Sequence, residues 1–277
     1  MISAMPKSND ETPDETPILR YMDLPKFVAM LASKTQWFAK AARFEDGYEG
    51  FCQVSPRETP SNDPFARCIT RTTAEGETAL ISVTQALVEV SKLSAKYFEN
   101  AREHLYVNSW CLADESMAMW QIYGSYGRGI ALRSSVGQYR RAAKFNVREE
   151  QYAFSKVTYD VDPRLNPALR FDFGEGSIPA PGLGVWERLL PVAFHKRKCY
   201  DYEREWRAAL YQDPRPECLG CSIKFDLNEL ISAVYIGPRA DDFLFGVVDS
   251  VMEKFELTKP LERSGLLQPP ERTTPAT

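Results

Sequence analysis

The stretch LYVNSWCLADESMAMWQIYGSYGRGIALR (residues 105–133) decides the fold class. Its first part, LYVNSWCL, and its last part, GRGIALR, carry the apolar pattern of strands. Between them, DESMAMWQIYG has helical spacing, and we expect Asp114 to cap that helix. A strand, a helix, a glycine-rich turn and a second strand in so short a stretch indicate a chain in which helices and strands alternate.

The alternation continues on both sides of this stretch. Upstream, ILRYM predicts a strand, a helix follows that begins at Asp23 with Pro25 in its first turn, and QWFA predicts a second strand. Downstream, EQYAFSKVTY, WRAALY, CSIKFDL and ISAVYIG are strand-like, whereas SVGQYRRAAK and DDFLFGVVDSVMEKF are helical. Two further helices are predicted in ETALISVTQALVEVSKLSAKYFENAREHL, which is the longest, and in GVWERLLPVAFHKRKC.

These elements predict a single α+β domain at residues 18–267, with a mixed or mainly antiparallel sheet system, or two facing sheets, flanked by helices. No linker or internal repeat divides it. Residues 1–17 and 268–277 are rich in Pro, Thr, Ser and charged residues, so we expect disordered tails there. Residues 160–184 have the composition of a long loop or lid. The strands that contain Arg20, Trp37, Asn108, Ile130 and Ala208 should share the sheet system.

The composition excludes some classes of function. The 277 residues include 34 Lys and Arg against 38 Asp and Glu, so no basic excess predicts tight, sequence-independent binding to nucleic acid, although a local basic groove stays open. No apolar run is long enough to cross a bilayer, and the start of the chain lacks the pattern of a signal peptide. We expect a cytoplasmic protein without a membrane partner.

The six cysteines are scattered, and only Cys218 and Cys221 form a C-x-x-C pair. A zinc site of this type needs a second pair or histidines at matching spacing, but the only histidines are His104 and His195. We therefore predict reduced thiols and no metal.

Several segments together resemble an uncharacterised bacterial family catalogued as domain of unknown function 2971. They are RYMDLPKFVAMLASKTQWFAKAARFEDGYEG, VNSWCLADESMAMWQIYGSYGRGIALRS, the block W…K…Y…YEREWR and FDLNELISAVYIGPRADD…SGL, and they span nearly the whole ordered chain. The pattern MW-x-x-Y-x-x-x-G-x-G-I-A-L and YEREWR are the most specific. FEDGYEG departs from the FNDPFE of that family, so Asp46 and Glu49 match while Asn and Pro do not. The resemblance implies a shared fold and carries no activity.

The order of three chemical elements also resembles ADP-ribosyltransferases of the arginine-serine-glutamate type. Arg20 lies on the first predicted strand, serine and aromatic residues gather in NSW and MWQIYGSYGRG, and Glu203 and Glu205 form an E-x-E before a late strand. In an extended chain that spacing directs both carboxylates to one face, where each raises the other's affinity for a proton. The resemblance implies NAD as substrate, an unknown macromolecular acceptor, and a bacterial toxin or defence effector with an antitoxin or other partner protein.

The resemblance also implies residue roles. Glu205 would hold the ribose hydroxyls and stabilise the oxocarbenium-like sugar, while Glu203 would prepare the acceptor nucleophile. Arg20 would bind the pyrophosphate, and aromatic rings would stack on the nicotinamide. The expected NAD-binding residues are Arg20, Tyr21, Trp120, Tyr123 and Arg128, and we expect them to line one pocket with both glutamates.

Three other interpretations stay open. The E-x-E is also typical of a solvated strand edge with cross-strand ion pairs, and Trp110, Trp120 and Tyr123 of core aromatics. An endoribonuclease-type toxin would use Arg20, Arg128 and Arg207 on phosphates and a glutamate as general base. A non-catalytic interaction module would use exposed aromatic residues to bind a partner.

Overall fold

The computed structural model describes residues 10–49, 68–72, 78–82, 102–112, 114–146, 152–160, 190–212 and 217–268. Its strands are β1 (Pro17–Met22), β2 (Thr35–Lys40), β3 (Cys68–Thr72), β4 (Thr78–Ser82), β5 (Leu105–Cys111), β6 (Ile130–Ser135), β7 (Ala143–Lys144), β8 (Tyr152–Lys156), β9 (Thr158–Asp160), β10 (His195–Arg197), β11 (Glu205–Tyr211), β12 (Gly220–Phe225), β13 (Ala233–Ile236) and β14 (Leu261–Arg263). Its α-helices are α1 (Leu24–Ser33), α2 (Met117–Ile122), α3 (Val136–Ala142), α4 (Leu227–Leu230) and α5 (Asp242–Lys254).

Ten strands form one mixed, mainly antiparallel sheet, which confirms the predicted α+β class. The order is β14-β13-β6-β1-β5-β2-β12-β7, with β11 paired to β5 and β8. Every pair in this sheet is antiparallel except β13 with β14. As predicted, it contains the strands of Arg20, Trp37, Asn108, Ile130 and Ala208. Two smaller pairs, β3 with β4 and β9 with β10, lie outside it.

Strand β5 has three partners, and this branching creates an opening in the sheet. One edge of β5 pairs with β11 along its whole length. The other edge is shared, because β1 pairs only at Cys111 whereas β2 pairs only at Tyr106 and Val107. Between these contacts, beside residues 108–110, β1 and β2 separate. At this opening, the Nδ2 atom of Asn108 donates a hydrogen bond to the Trp37 carbonyl (2.7 Å). The side chain thus supplies a partner to a backbone acceptor there.

The main core lies on one face of the sheet. Helices α1, α3 and α5 cover this face, and its largest fully buried side chains are Trp110, Trp206, Tyr106, Tyr139, Phe27 and Phe38. On the opposite face, a smaller cluster contains Leu19, Tyr21, Met119 and Trp120. Because side chains alternate along β1 and β5, successive residues of these strands lie on opposite faces of the sheet. One face is packed by helices, and the other is partly open.

Local capping signals set two helix starts. Helix α1 begins after Asp23 as predicted, since Asp23 Oδ1 accepts a hydrogen bond from the Lys26 amide (2.8 Å). The prediction that Asp114 caps α2 was wrong. Ser116 is the cap, and its hydroxyl accepts a hydrogen bond from the Met119 amide, so the helix starts two residues later than predicted.

Three other predictions differ from the structure. Residues 78–82 form strand β4, paired with β3, instead of the start of the longest helix, and residues 83–101 lie outside the described part of the chain. EQYAFSKVTY forms two strands, because the Val157 amide between them bonds to the Glu205 carbonyl (2.9 Å). The predicted helix through HKRK is a 3-10 turn, Leu190–Phe194, followed by strand β10. The predicted loop at 160–184 falls almost wholly in residues 161–189, which are not described.

Residues 10–16 contact the domain, although we expected a disordered tail up to residue 17. Asp10 Oδ2 accepts a hydrogen bond from Trp206 Nε1 (2.7 Å) and forms an ion pair with Arg140 (2.9 Å). A buried indole N–H requires a partner, and Asp10 supplies it. Residues 1–9 and 269–277 are outside the described part. No helix within the described ranges has the length and apolar character needed to span a membrane.

Candidate active site

A cavity of about 1000 Å³ opens where β1 and β2 separate. Its walls come from β1, α1, β2, the segment after β2, β5, α2, β10, the turn before β11, β11 itself, and β12. The predicted residues Arg20, Tyr21, Tyr123, Glu203 and Glu205 all line it. The branching of the sheet therefore brings predicted residues as far apart in sequence as Arg20 and Glu205 into one cavity.

Two predicted residues do not line this cavity. Trp120 is fully buried, because α2 directs Met119 and Tyr123 toward the cavity and Trp120 toward the sheet. There the indole packs against the edge of Tyr21 (ring centroids 4.9 Å apart) and donates a hydrogen bond to Glu115 (2.9 Å). Arg128 is exposed beyond the turn that follows α2 and is absent from the lining. Trp120 is thus a core aromatic that supports Tyr21.

The E-x-E pair is not extended, which corrects the geometry expected from its spacing. Glu203 is the last residue of a 3-10 turn, Arg204 has a left-handed backbone (φ 46°), and Glu205 is the first residue of β11. Despite this bend, both carboxylates contact the ammonium group of Lys196. A cation from another strand therefore holds the pair together and opposes its repulsion.

Lys196 and Arg207 hold three carboxylates in what we call the glutamate cluster, composed of these two cations with Glu49, Glu203 and Glu205. Lys196 Nζ lies 2.8 Å from Glu49 and 3.1 Å from Glu205, and also contacts Glu203. Arg207 Nε lies 2.5 Å from Glu205, and its Nη2 lies 3.2 Å from Glu49. All five residues are almost completely buried. With every group ionised, the cluster carries one excess negative charge.

The pKa values of the two glutamates are shifted in opposite directions. Burial, followed by the proximity of Glu205, raises the pKa of Glu203 to about 7. Burial by itself would also raise the pKa of Glu205, but the charge and hydrogen bonds of Arg207 hold it well below its usual range. Glu205 is therefore ionised at neutral pH, whereas Glu203 exchanges a proton near neutrality. Two carboxylates whose pKa values differ in this way can take the roles of charge stabiliser and base.

Two tyrosines complete the surroundings of the pair. The hydroxyl of Tyr123 donates a hydrogen bond to Glu203 Oε1 (2.7 Å), and the hydroxyl of Tyr159 accepts one from the Glu205 amide (2.8 Å). Burial raises the pKa of both phenols, so they stay protonated at neutral pH. Tyr123 is half-exposed toward the cavity, and it orients the carboxylate that exchanges a proton.

Within the part of the chain that the structure describes, Arg20 is a cation without an ionic partner. Its Nη2 donates one long hydrogen bond to the Trp37 carbonyl (3.4 Å), and its buried Nη1 has no partner. In the described part of the chain, no carboxylate lies within ion-pair distance of it. Burial lowers the pKa of Arg20 to about 10, so the charge persists at neutral pH. Along β1, Arg20 is directed to the face opposite Glu205, and the opening between β1 and β2 gives its guanidinium access to the cavity.

Sequence reasoning missed part of the site. Glu49, Lys196 and Tyr159 were not among the predicted site residues, and Arg207 was considered only as a phosphate contact of a nuclease. Glu49 had a signal, since it is one of the positions of FEDGYEG that match the resembling family. Lys196 had none, because HKRK was predicted to be helical. In the described ranges, no group of His, Cys, Asp and Glu is arranged to hold a metal ion.

No protein-family model matches the sequence, and no curated protein matches it. Among solved structures, the chain is similar to DarT of Thermus sp. 2.9 in complex with NAD+, with a TM-score of 0.37 and 9% identity over 91% of this chain and 97% of that chain. It is also similar to that protein in complex with ADP-ribosylated ssDNA, with a TM-score of 0.37 and 8% identity over 91% and 95% of the two chains. A likeness at this level carries no inference about the site, whose chemistry is inferred below from its own residues.

Proposed function

We propose that the protein uses NAD as a substrate and transfers or hydrolyses its ADP-ribose in this cavity. One observation supports this most strongly: Arg20, a cation without an ionic partner among the described residues, and a buried glutamate pair line the same cavity. A volume of about 1000 Å³ is at the upper end of small-ligand sites and accommodates a dinucleotide. Arg20 supplies the charge that a pyrophosphate requires, and a guanidinium is well suited to phosphate oxygens.

The glutamate pair suits the cleavage of a glycosidic bond. When the bond between the ribose C1′ and the nicotinamide nitrogen breaks, its electron pair leaves with neutral nicotinamide, and positive charge develops on the sugar. Glu205, ionised and fixed by Arg207, stabilises that charge. An acceptor hydroxyl or water then attacks C1′, and Glu203 accepts the proton that the nucleophile loses.

The charge balance of the glutamate cluster supports these roles. With Glu203 protonated, the cluster is neutral, and with Glu203 ionised it carries one negative charge. The cationic nicotinamide ring of NAD therefore favours the ionised form of Glu203, because opposite charges at close range lower the pKa of a carboxyl group. Substrate binding would thus prepare the base.

The first test is nicotinamide release from NAD by the purified protein, with and without cell lysate as a source of acceptor. We expect release above background and a higher melting temperature with NAD than with a short RNA, since a ligand stabilises the state that it binds. Background release with no shift by NAD contradicts the proposal. In that case, stabilisation by RNA favours the endoribonuclease-type alternative, and stabilisation by neither favours the interaction module.

A role as a toxin or defence effector with a macromolecular acceptor belongs to the same proposal. Induced expression in bacteria should then arrest growth, and a Glu205→Gln variant made in equal amount should not. If the wild type and Glu205→Gln both arrest growth at equal expression, the toxicity does not depend on the NAD chemistry.

A further inference from the structure

Trp37 gives the cavity an accessible indole. Its exposed fraction is 46%, whereas Trp110, Trp120 and Trp206 are at most 1% exposed. Trp37 also lines the cavity. An indole that remains half-exposed beside a cavity has no role in the packing of the core, and its π-face is available for a planar ligand. The fully buried Trp120 offers no such face.

The backbone around Trp37 fixes the position of this indole. The Trp37 carbonyl accepts hydrogen bonds from Asn108 (2.7 Å) and Arg20 (3.4 Å). The ring packs against the next strand at Gly220, where an added Cβ would fall 2.5 Å from Trp37 Cζ2. Only a residue without a side chain allows this approach. One side of the indole therefore rests on β12, and the ring is held in place before any ligand arrives.

The register places Trp37 on the same face of the sheet as Glu205, at a distance. Ala39 pairs with Val107 on one edge of β5, and Glu205 pairs with Cys111 on the other edge. Trp37 is two residues from Ala39 and so shares its face. With strands about 4.8 Å apart and about 3.3 Å per residue, the two residues are separated by at least about 12 Å. A ligand that reaches both must be elongated.

The guanidinium of Arg20 contacts the Trp37 carbonyl at the opening, so its charge lies on the Trp37 side of the glutamate pair. A dinucleotide has the same sequence of parts: a nucleoside, a pyrophosphate and a second nucleoside. If the ribose whose bond breaks lies at Glu205 and the pyrophosphate at Arg20, the distal base falls at Trp37. Thr35 and Ser222 line the same end and offer hydroxyls to the edge of a base.

We propose that Trp37 stacks on the adenine of the bound dinucleotide and fixes the orientation in which NAD enters the cavity. The assignment of adenine to this end rests on the proposed function, since that function places the nicotinamide ribose at Glu205. Trp37 is a positioning residue, and it touches the half of the substrate that does not react.

The test combines tryptophan fluorescence with kinetics in the full chain. AMP, ADP-ribose and NAD should quench the fluorescence of the wild type, and nicotinamide mononucleotide should quench it much less. In Trp37→Phe the quenching should disappear, but AMP should still bind because the phenyl ring can stack on the base. Trp37→Ala should raise the Kd of AMP and the KM of NAD about tenfold or more, with kcat little changed, because stacking on one aromatic ring typically contributes this much per base.

Thermal unfolding of both variants controls for folding, and Ile122→Ala, at an exposed apolar position of the cavity lining, controls for a general loss of apolar wall. If NAD is consumed but Trp37→Ala leaves KM unchanged, the stacking proposal is overturned and the proposed function stands. If AMP quenches Trp37 but NAD is not consumed, the adenine site stands and the NAD chemistry falls. If no adenine nucleotide quenches or binds, both are overturned.

Discussion

Glu205 and Arg207 form a two-point ion pair within a single strand: Arg207 Nε lies 2.5 Å from Oε2, and Nη2 lies 3.1 Å from Oε1. The i, i+2 spacing places both side chains on one face of β11. Both residues are almost completely buried. The pair keeps Glu205 ionised where a carboxylate is needed, and it makes each partner costly to remove, because the other is then buried without its counter-charge.

Replacing Glu205 by Gln should reduce the kcat of nicotinamide release by about a hundredfold to a thousandfold, since a positioned charge that stabilises the transition state is lost. NAD binding should survive better than turnover. The free variant should also melt at a lower temperature, because Arg207 loses its closest counter-charge. Nicotinamide release, NAD binding and thermal unfolding measure these effects. Glu45→Gln, an exposed carboxylate in the same lining, is the control and should behave as the wild type. Unchanged turnover in Glu205→Gln would contradict this assignment.

Replacing Arg20 by Met should raise the KM for NAD more than it lowers kcat, because a pyrophosphate contact is present in the ground state and the transition state alike. The free variant should melt a few degrees higher, since a desolvated cation without an ionic partner is removed and about 1 kcal/mol shifts Tm by about 2–4 °C at this chain length. Arg133→Met, on the neighbouring strand and outside the cavity, is the matched control. A lower Tm together with an unchanged KM would show that Arg20 is only structural.

The stability of the protein should depend on pH through Glu203. Its folded-state pKa of about 7 lies above the ordinary value of 4.5, so its contribution to the free energy of unfolding is complete below about pH 4.5 and is lost as pH rises through 7. The pKa of Glu205 is lowered, so its contribution to the free energy of unfolding is lost as pH falls, and this loss occurs below about pH 4.5. Thermal unfolding of wild type should therefore show Tm falling between pH 5 and 8.

Glu203→Gln should flatten this dependence, because the titrating group is gone while its hydrogen bond with Tyr123 is retained in part. Glu229→Gln, which removes a partly exposed partner of Arg141, should leave the slope unchanged. Equal slopes in the wild type and Glu203→Gln would assign the pH dependence to another group.

Replacing Gly220 by Ala should destabilise the protein and weaken the binding of AMP, since the new Cβ would clash with the Phe38 carbonyl and the Trp37 ring. Gly246, inside α5, has no neighbour within 4 Å of an added Cβ. Gly246→Ala should therefore stabilise the protein by about 0.5–1 kcal/mol. Thermal unfolding of the two variants gives the comparison, and similar effects at both positions would contradict the close packing at Gly220.

Local patterns in the sequence determined most elements of the ordered core. The Asp23 cap, the proline in the first turn of α1 and the alternating strands were predictable because each signal acts through neighbours in the chain. The identity of several cavity residues, Arg20 and Glu205 among them, came from the order of chemical groups along the sequence. Errors fell where a distant contact contributes. Ser116 instead of Asp114 caps α2, and its amide donates a hydrogen bond to the Tyr21 hydroxyl (3.1 Å). Residues 195–197 form a strand that pairs with residues 158–160.

Only the tertiary structure decided which aromatic residues are accessible and which charges are paired. Trp37 and Trp120 both lie in apolar patterns, yet one is half-exposed and the other is fully buried, because β1 and β2 separate beside β5 and leave an opening on one side of the sheet. Likewise, Arg207 has a carboxylate partner, whereas Arg20 has none among the described residues. A side chain's environment depends on strand pairing between residues far apart in sequence, and that pairing is set by the register of the whole sheet.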